Sequence, residues 1–130
     1  MVKLDTRCWF DLVGVEYEHR CRGPEKFDCY GLLMEVFRRR GVVVPDVLYG
    51  SSVEEQDRIL TEGAPGWRRV ECAPGVGVML KRQDGSKSHV GVMIDDDRFI
   101  HATEDHKQVV ISRLSQGYAR RVVGFYDYAA

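Results

Sequence analysis

Two rhythms of polar and apolar positions run along this chain, and one gives way to the other near residue 66. In the first half the apolar residues recur at helical spacing. Asp5 or Thr6 can cap a short helix that runs through Leu12 and stops at Gly14, with Trp9, Leu12 and Val13 as its buried stripe. Residues 15–27 keep no sustained period and contain Gly23-Pro24, a turn signal, so they predict a loop. Asp28 is a good N-cap, and Leu32, Leu33, Val36 and Phe37 follow at helical spacing as far as Arg40, with Gly41 as the stop. A third helix is announced by Ser52-Val53-Glu54-Glu55, which reads as a capping box, and Gly63-Ala64-Pro65-Gly66 ends it.

From there the period is two. Short runs follow at Trp67 to Glu71, Val76 to Lys81, His89 to Ile94, Arg98 to Thr103, Val109 to Leu114 and Arg121 to Tyr128. The polar connections Gln83 to Ser86, Asp95 to Asp97 and Glu104 to Lys107 are of hairpin length, which predicts a largely antiparallel sheet. Helices first and strands after, without βαβ alternation, specify an α+β fold with N-terminal helices packed on that sheet. If Asp95 to Asp97 form a three-residue loop, Ile94 pairs with Arg98 and Gly91 lies opposite His101. His89 and His101 then become diagonal neighbours on one face, within reach of an imidazole contact. A loop one residue shorter or longer would put them on opposite faces.

Length and composition narrow the class. The 130 residues suit one domain spanning 1–130, and 44% hydrophobic with 30% charged residues describes a globular chain with a packed core. A formal charge of -1 gives no general attraction to nucleic acid or to anionic lipid. No apolar stretch has the length of a signal peptide or a spanning helix, so the expectation is a protein made and kept in the cytoplasm unless something carries it out. The four cysteines lack the CxxC spacing of a zinc site or redox pair, and a cytosolic chain of this size is not expected to carry a disulfide framework.

Taken singly, Cys29 stands out. It falls in the first turn of the best-marked helix, where unsatisfied N–H groups and the helix dipole favour the thiolate that attacks carbonyls. A small buried hydrophobe is the alternative. His89, at the start of an apolar strand, could serve as base, and His101 on the next strand as a third polar group. Each alone could equally be a satisfied core or surface histidine. His19 and His106 fall in predicted loops, and Cys8, Cys21 and Cys72 have no base beside them in sequence. Asp95 to Asp97 read as a hairpin turn rather than a calcium loop, and a zinc site from Cys21, Cys29, His89 and His101 has little support in the spacing.

Three segments together resemble the NlpC-type family of cell-wall cysteine peptidases. They are Gly14-Val15-Glu16-Tyr17 with Phe27-Asp28-Cys29-Tyr30-Gly31-Leu32, then Ser88-His89-Val90-Gly91-Val92, then Phe99-Ile100-His101-Ala102. The resemblance implies a circularly permuted papain-like fold and no cofactor. It implies Cys29 as nucleophile, His89 as general base and acid, His101 as the orienting group, and Tyr17 with the Cys29 backbone N–H as oxyanion stabilisers. The implied reaction is hydrolysis of the bond between γ-D-glutamate and a diamino acid in peptidoglycan stem peptides. Tyr30 replaces the small residue that often follows the nucleophile, and Val76 stands where an aspartate is usual. The aromatic before Gly31-Leu32 is similar to members found in phage tail assembly proteins, which implies tail proteins as partners and a virion that carries the domain to the wall. The alternatives are a structural tail protein with a vestigial site, and an amidase or acyltransferase of the same superfamily.

Overall fold

A computed structural model describes residues 5–45, 66–81 and 88–128. The chain opens with a 3-10 helix, Thr6–Leu12, which Asp5 caps by accepting from the Arg7 N–H. With about three residues per turn, Trp9 and Leu12 align on one side and are buried. That tighter winding carries Val13 off the stripe, and it is exposed rather than buried as expected.

The segment expected to be a plain loop holds two short strands, β1 (Glu16–Tyr17) and β2 (Lys26–Phe27), which pair in parallel. Strands of two residues are too short to show alternation, and β1 is held by a distant partner, pairing Glu16 with Gln108. The helix α1 (Cys29–Arg39) follows, with Asp28 as its N-cap and Gly41 just beyond its C-cap at φ 83°. The third helix expected between Ser52 and Gly66 lies outside the described residues, save Gly66 itself.

The remaining strands fall where the period of two placed them: β3 (Trp67–Val70), β4 (Gly77–Lys81), β5 (Ser88–Met93), β6 (Arg98–Thr103), β7 (Gln108–Arg113) and β8 (Val122–Tyr128). The sheet runs β2-β1-β7-β6-β5-β4-β8-β3, and every neighbouring pair except β1-β2 is antiparallel. This is an α+β fold on a mixed sheet.

Helix α1 packs on β5 and β6. Its apolar stripe, Leu32, Leu33, Val36 and Phe37, meets Val90, Val92, Ile94, Ile100 and Ala102 in the main core. Fully burying a side chain of this size contributes roughly 1.5–3 kcal/mol, so this interface holds helix and sheet together. A second core, Val76, Val78, Leu80, Met93 and Phe99, lies under Leu114, Tyr118, Val122 and Phe125. Among the described residues no helix is long and apolar enough to cross a membrane.

Candidate active site

Cys29 is the first residue of α1 and half-buried. What precedes it is tightly pinned. Asp28 is 3% exposed, and its Oδ1 accepts from the Gly31 N–H at 2.6 Å while Oδ2 accepts from the Arg22 guanidinium. The Asp28 N–H donates to the Cys21 carbonyl at 2.7 Å, and the Arg22 guanidinium lies 5.4 Å from the centre of the Tyr30 ring. The stretch at residues 21 and 22 therefore lies flat on the first turn of the helix. Gly31 makes this approach feasible, because a Cβ there would run into the Cys21 carbonyl oxygen and the Arg22 Cα. Tyr30 turns inward at 1% exposure and its hydroxyl donates to the Pro45 carbonyl at 2.6 Å.

Strand pairing brings Tyr17 to the same place. Tyr17 lies opposite Phe27, two residues before Cys29, and neighbouring strands run roughly 4.8 Å apart. The Tyr17 N–H donates to the Lys107 carbonyl and the Glu18 N–H to the Phe27 carbonyl, which fixes β1 from both sides. Tyr17 and Cys29 both border the main core.

The histidines meet as the three-residue loop requires. Val92 pairs with Ile100 and Met93 with Phe99, so the β5-β6 hairpin keeps the expected register. The loop is tied by Asp95, whose carboxylate accepts from the Asp97 and Arg98 N–H groups at 2.9 and 2.7 Å. Those bonds hold its pKa down at about 2. His89 Nε2 and His101 Nδ1 are 2.7 Å apart, with ring centres 4.9 Å apart and planes at 67°. Between them in the weave is Gly91. A Cβ there would come within 3.0 Å of the His101 Cβ and 2.9 Å of the Ile100 carbonyl oxygen, so the missing side chain leaves room for the ring.

His101 is 1% exposed. Its Nε2 is 2.9 Å from the Ser112 hydroxyl, the Phe99 ring lies 4.4 Å away, and the Tyr118 ring stands edge-on at 5.9 Å. Burial above all, and then the neighbouring charge of His89, push the His101 pKa down to about 2. His101 is thus a neutral imidazole at ordinary pH, with one ring nitrogen to donate and one to accept. Such a group can fix the orientation and tautomer of the His89 ring without taking a charge itself.

No local pattern in the sequence marks Ser112, although strand register joins it to His101 as it joins His89 to His101. The turn Glu104 to Lys107 pairs Thr103 with Gln108, which puts Val110 opposite His101 and makes Ser112 its diagonal neighbour. Two of the other thiols are held in the protonated form. Glu18, accepting from Cys21 at 3.0 Å, raises the Cys21 pKa, and burial raises that of Cys72. Among the described residues no group of three or more His, Cys, Asp or Glu side chains is placed to hold a metal.

Comparison with known proteins gives the context. Residues 14–125 match the model of the NlpC/P60 family. NlpC2 from Trichomonas vaginalis is similar in structure, with a TM-score of 0.68 at 20% identity, covering 95% of this chain and 45% of that one. An NlpC/P60 family protein from Bacillus cereus gives 0.69 at 20% identity, over 99% of this chain and 42% of that one. The chain therefore spans less than half the length of these two proteins. The NlpC/p60 domain of peptidoglycan hydrolase SagA gives 0.62 at 16% identity, over 98% of this chain and 100% of that one. A search of curated proteins gave no match. At these identities the solved structures speak for the fold; the family match covers both the Cys29 and the histidine segments, and by it this chain belongs to the NlpC/P60 family.

Proposed function

We propose that this domain is a cysteine endopeptidase that hydrolyses the γ-D-glutamyl-diamino acid bond of peptidoglycan stem peptides. The observation that carries the proposal is the 2.7 Å contact between His89 and His101, in a domain whose family match spans both histidines and the cysteine at the head of α1. Support for the substrate comes from SagA, a similar structure described as a peptidoglycan hydrolase.

In the proposed reaction the Cys29 thiol gives its proton to His89 and its sulfur attacks the amide carbonyl. The tetrahedral oxyanion is met by the Cys29 backbone N–H and the Tyr17 hydroxyl. The C–N bond breaks as protonated His89 returns the proton to the leaving amine, which leaves a thioester. Water, deprotonated by His89, then attacks the thioester; the C–S bond breaks, the acid departs and the thiol is restored. No redox partner or cofactor enters. His101 holds the His89 ring through both proton transfers.

The circularly permuted papain-like reading belongs to the same proposal. So does carriage on a phage or prophage tail, which the similarity of Cys29-Tyr30-Gly31-Leu32 to members found in tail assembly proteins supports. Mass spectrometry of stem peptides bearing diaminopimelate or lysine at the third position, incubated with the native protein and with Cys29→Ala, tests the activity. Cleavage after D-glutamate by the native protein alone is the expected result. Absence of cleavage of either peptide would overturn the assigned bond.

A further inference from the structure

We infer that Ser112 is a positioning residue for the histidine pair, supplying the acceptor that keeps the His101 proton on Nε2 and so leaves His101 Nδ1 free to accept from His89. The inference rests on the proposed peptidase chemistry for its kinetic consequence, while the tautomer it assigns is a property of the folded chain.

When His89 has taken the thiol proton it carries N–H on both ring nitrogens, and its Nε2 must donate to the atom 2.7 Å away, His101 Nδ1. A neutral His101 that accepts at Nδ1 carries its own proton on Nε2. That N–H is enclosed in a nearly dry place, with the ring 1% exposed between Phe99 and Tyr118. A buried donor without an acceptor keeps its full desolvation cost, which disfavours the tautomer that carries it. The Ser112 hydroxyl, 2.9 Å from Nε2, is positioned to remove that cost.

Without the hydroxyl the balance reverses. The His101 proton is better placed on Nδ1, where His89 Nε2 can accept it. His89 is then obliged to carry its own proton on Nδ1, and neither ring nitrogen is left to act as base toward the thiol. Ser112 is held for this task by β7, whose pairing with β6 places it opposite Phe99 and diagonal to His101.

The test uses the native protein, Ser112→Ala and Ser112→Thr. Long-range 1H–15N correlation spectra at pH 7 report which nitrogen of His101 carries the proton, and steady-state rates on the stem peptide give kcat and KM separately. Expected are an Nε2–H tautomer in the native protein and in Ser112→Thr, and loss of that tautomer in Ser112→Ala. With it, kcat falls by roughly tenfold or more while KM stays level. An Nδ1–H tautomer in the native protein would overturn the inference, as would an Ser112→Ala variant with the native tautomer and native kcat. If the native protein cleaves nothing, the substrate assignment fails, and the spectra alone still decide what Ser112 does.

Discussion

At the scale of single residues, His101 and Asp95 show how burial and hydrogen bonding push titration to separate windows. The unfolded chain takes up a proton on a histidine near pH 6.5, whereas folded His101, kept neutral first by burial, resists protonation until about 2. Below pH 6.5 the unfolded state therefore binds more protons at this position, so the stability is fully present above 6.5 and drains as the pH falls toward 2. Asp95 contributes above 3.8 and loses its contribution only as the pH drops toward 2. Between pH 7 and 5 the carboxylate is silent and the histidine is not. Thermal unfolding of the native protein is expected to shift down from pH 7 to 5, and the shift to shrink in His101→Asn; equal shifts in the two proteins would contradict this account. Cys29, His89 and His101 were legible as residues because each lies in a local pattern, a capped helix start or an apolar strand. Ser112 was not, since its role exists only through a register two strands long.

Elements show where sequence patterns end. The β5-β6 hairpin has the register that a three-residue loop requires, a length the sequence left conditional and that Asp95 ties through its own carboxylate. β1 and β2 were hidden, since they exist through Gln108 and through each other rather than through any period of their own. The 3-10 winding of Thr6–Leu12 is held by local bonds, and seven residues are too few for its period to be told from that of an α-helix; Val13 accordingly falls outside the core. The most exacting junction is between α1 and the chain at residues 21 and 22, which Gly31 admits. Gly31→Ala adds only a methyl group and improves helix propensity, yet its Cβ would press on backbone atoms that cannot swing aside. Urea unfolding should show a loss of about 1–3 kcal/mol. A variant as stable as the native protein would mean that this crossing is far looser than its hydrogen bonds indicate.

For the whole molecule, one sheet serves two cores. Alternation along β5 and β6 sends Val90, Val92, Ile100 and Ala102 toward α1, and gives Met93 and Phe99 to the second cluster beside the histidine pair. The fold class was legible from the switch of period, and the family from three short segments, because both depend on local order. The Ser52-to-Gly66 helix expected from its capping box falls almost wholly outside the described residues, as does the Gln83-to-Ser86 turn. The claim on which the functional account depends is that Cys29 and His89 act as one pair across helix and sheet. Alkylation by iodoacetamide at pH 6, followed residue by residue with peptide mass spectrometry, tests it without assuming any substrate. In the native protein Cys29 should react faster than the exposed Cys8 by more than about tenfold, and the excess should vanish in His89→Ala. If Cys29 reacts no faster than Cys8, and His89→Ala changes nothing, then Cys29 and His89 are not a pair and the thiol is a packing residue.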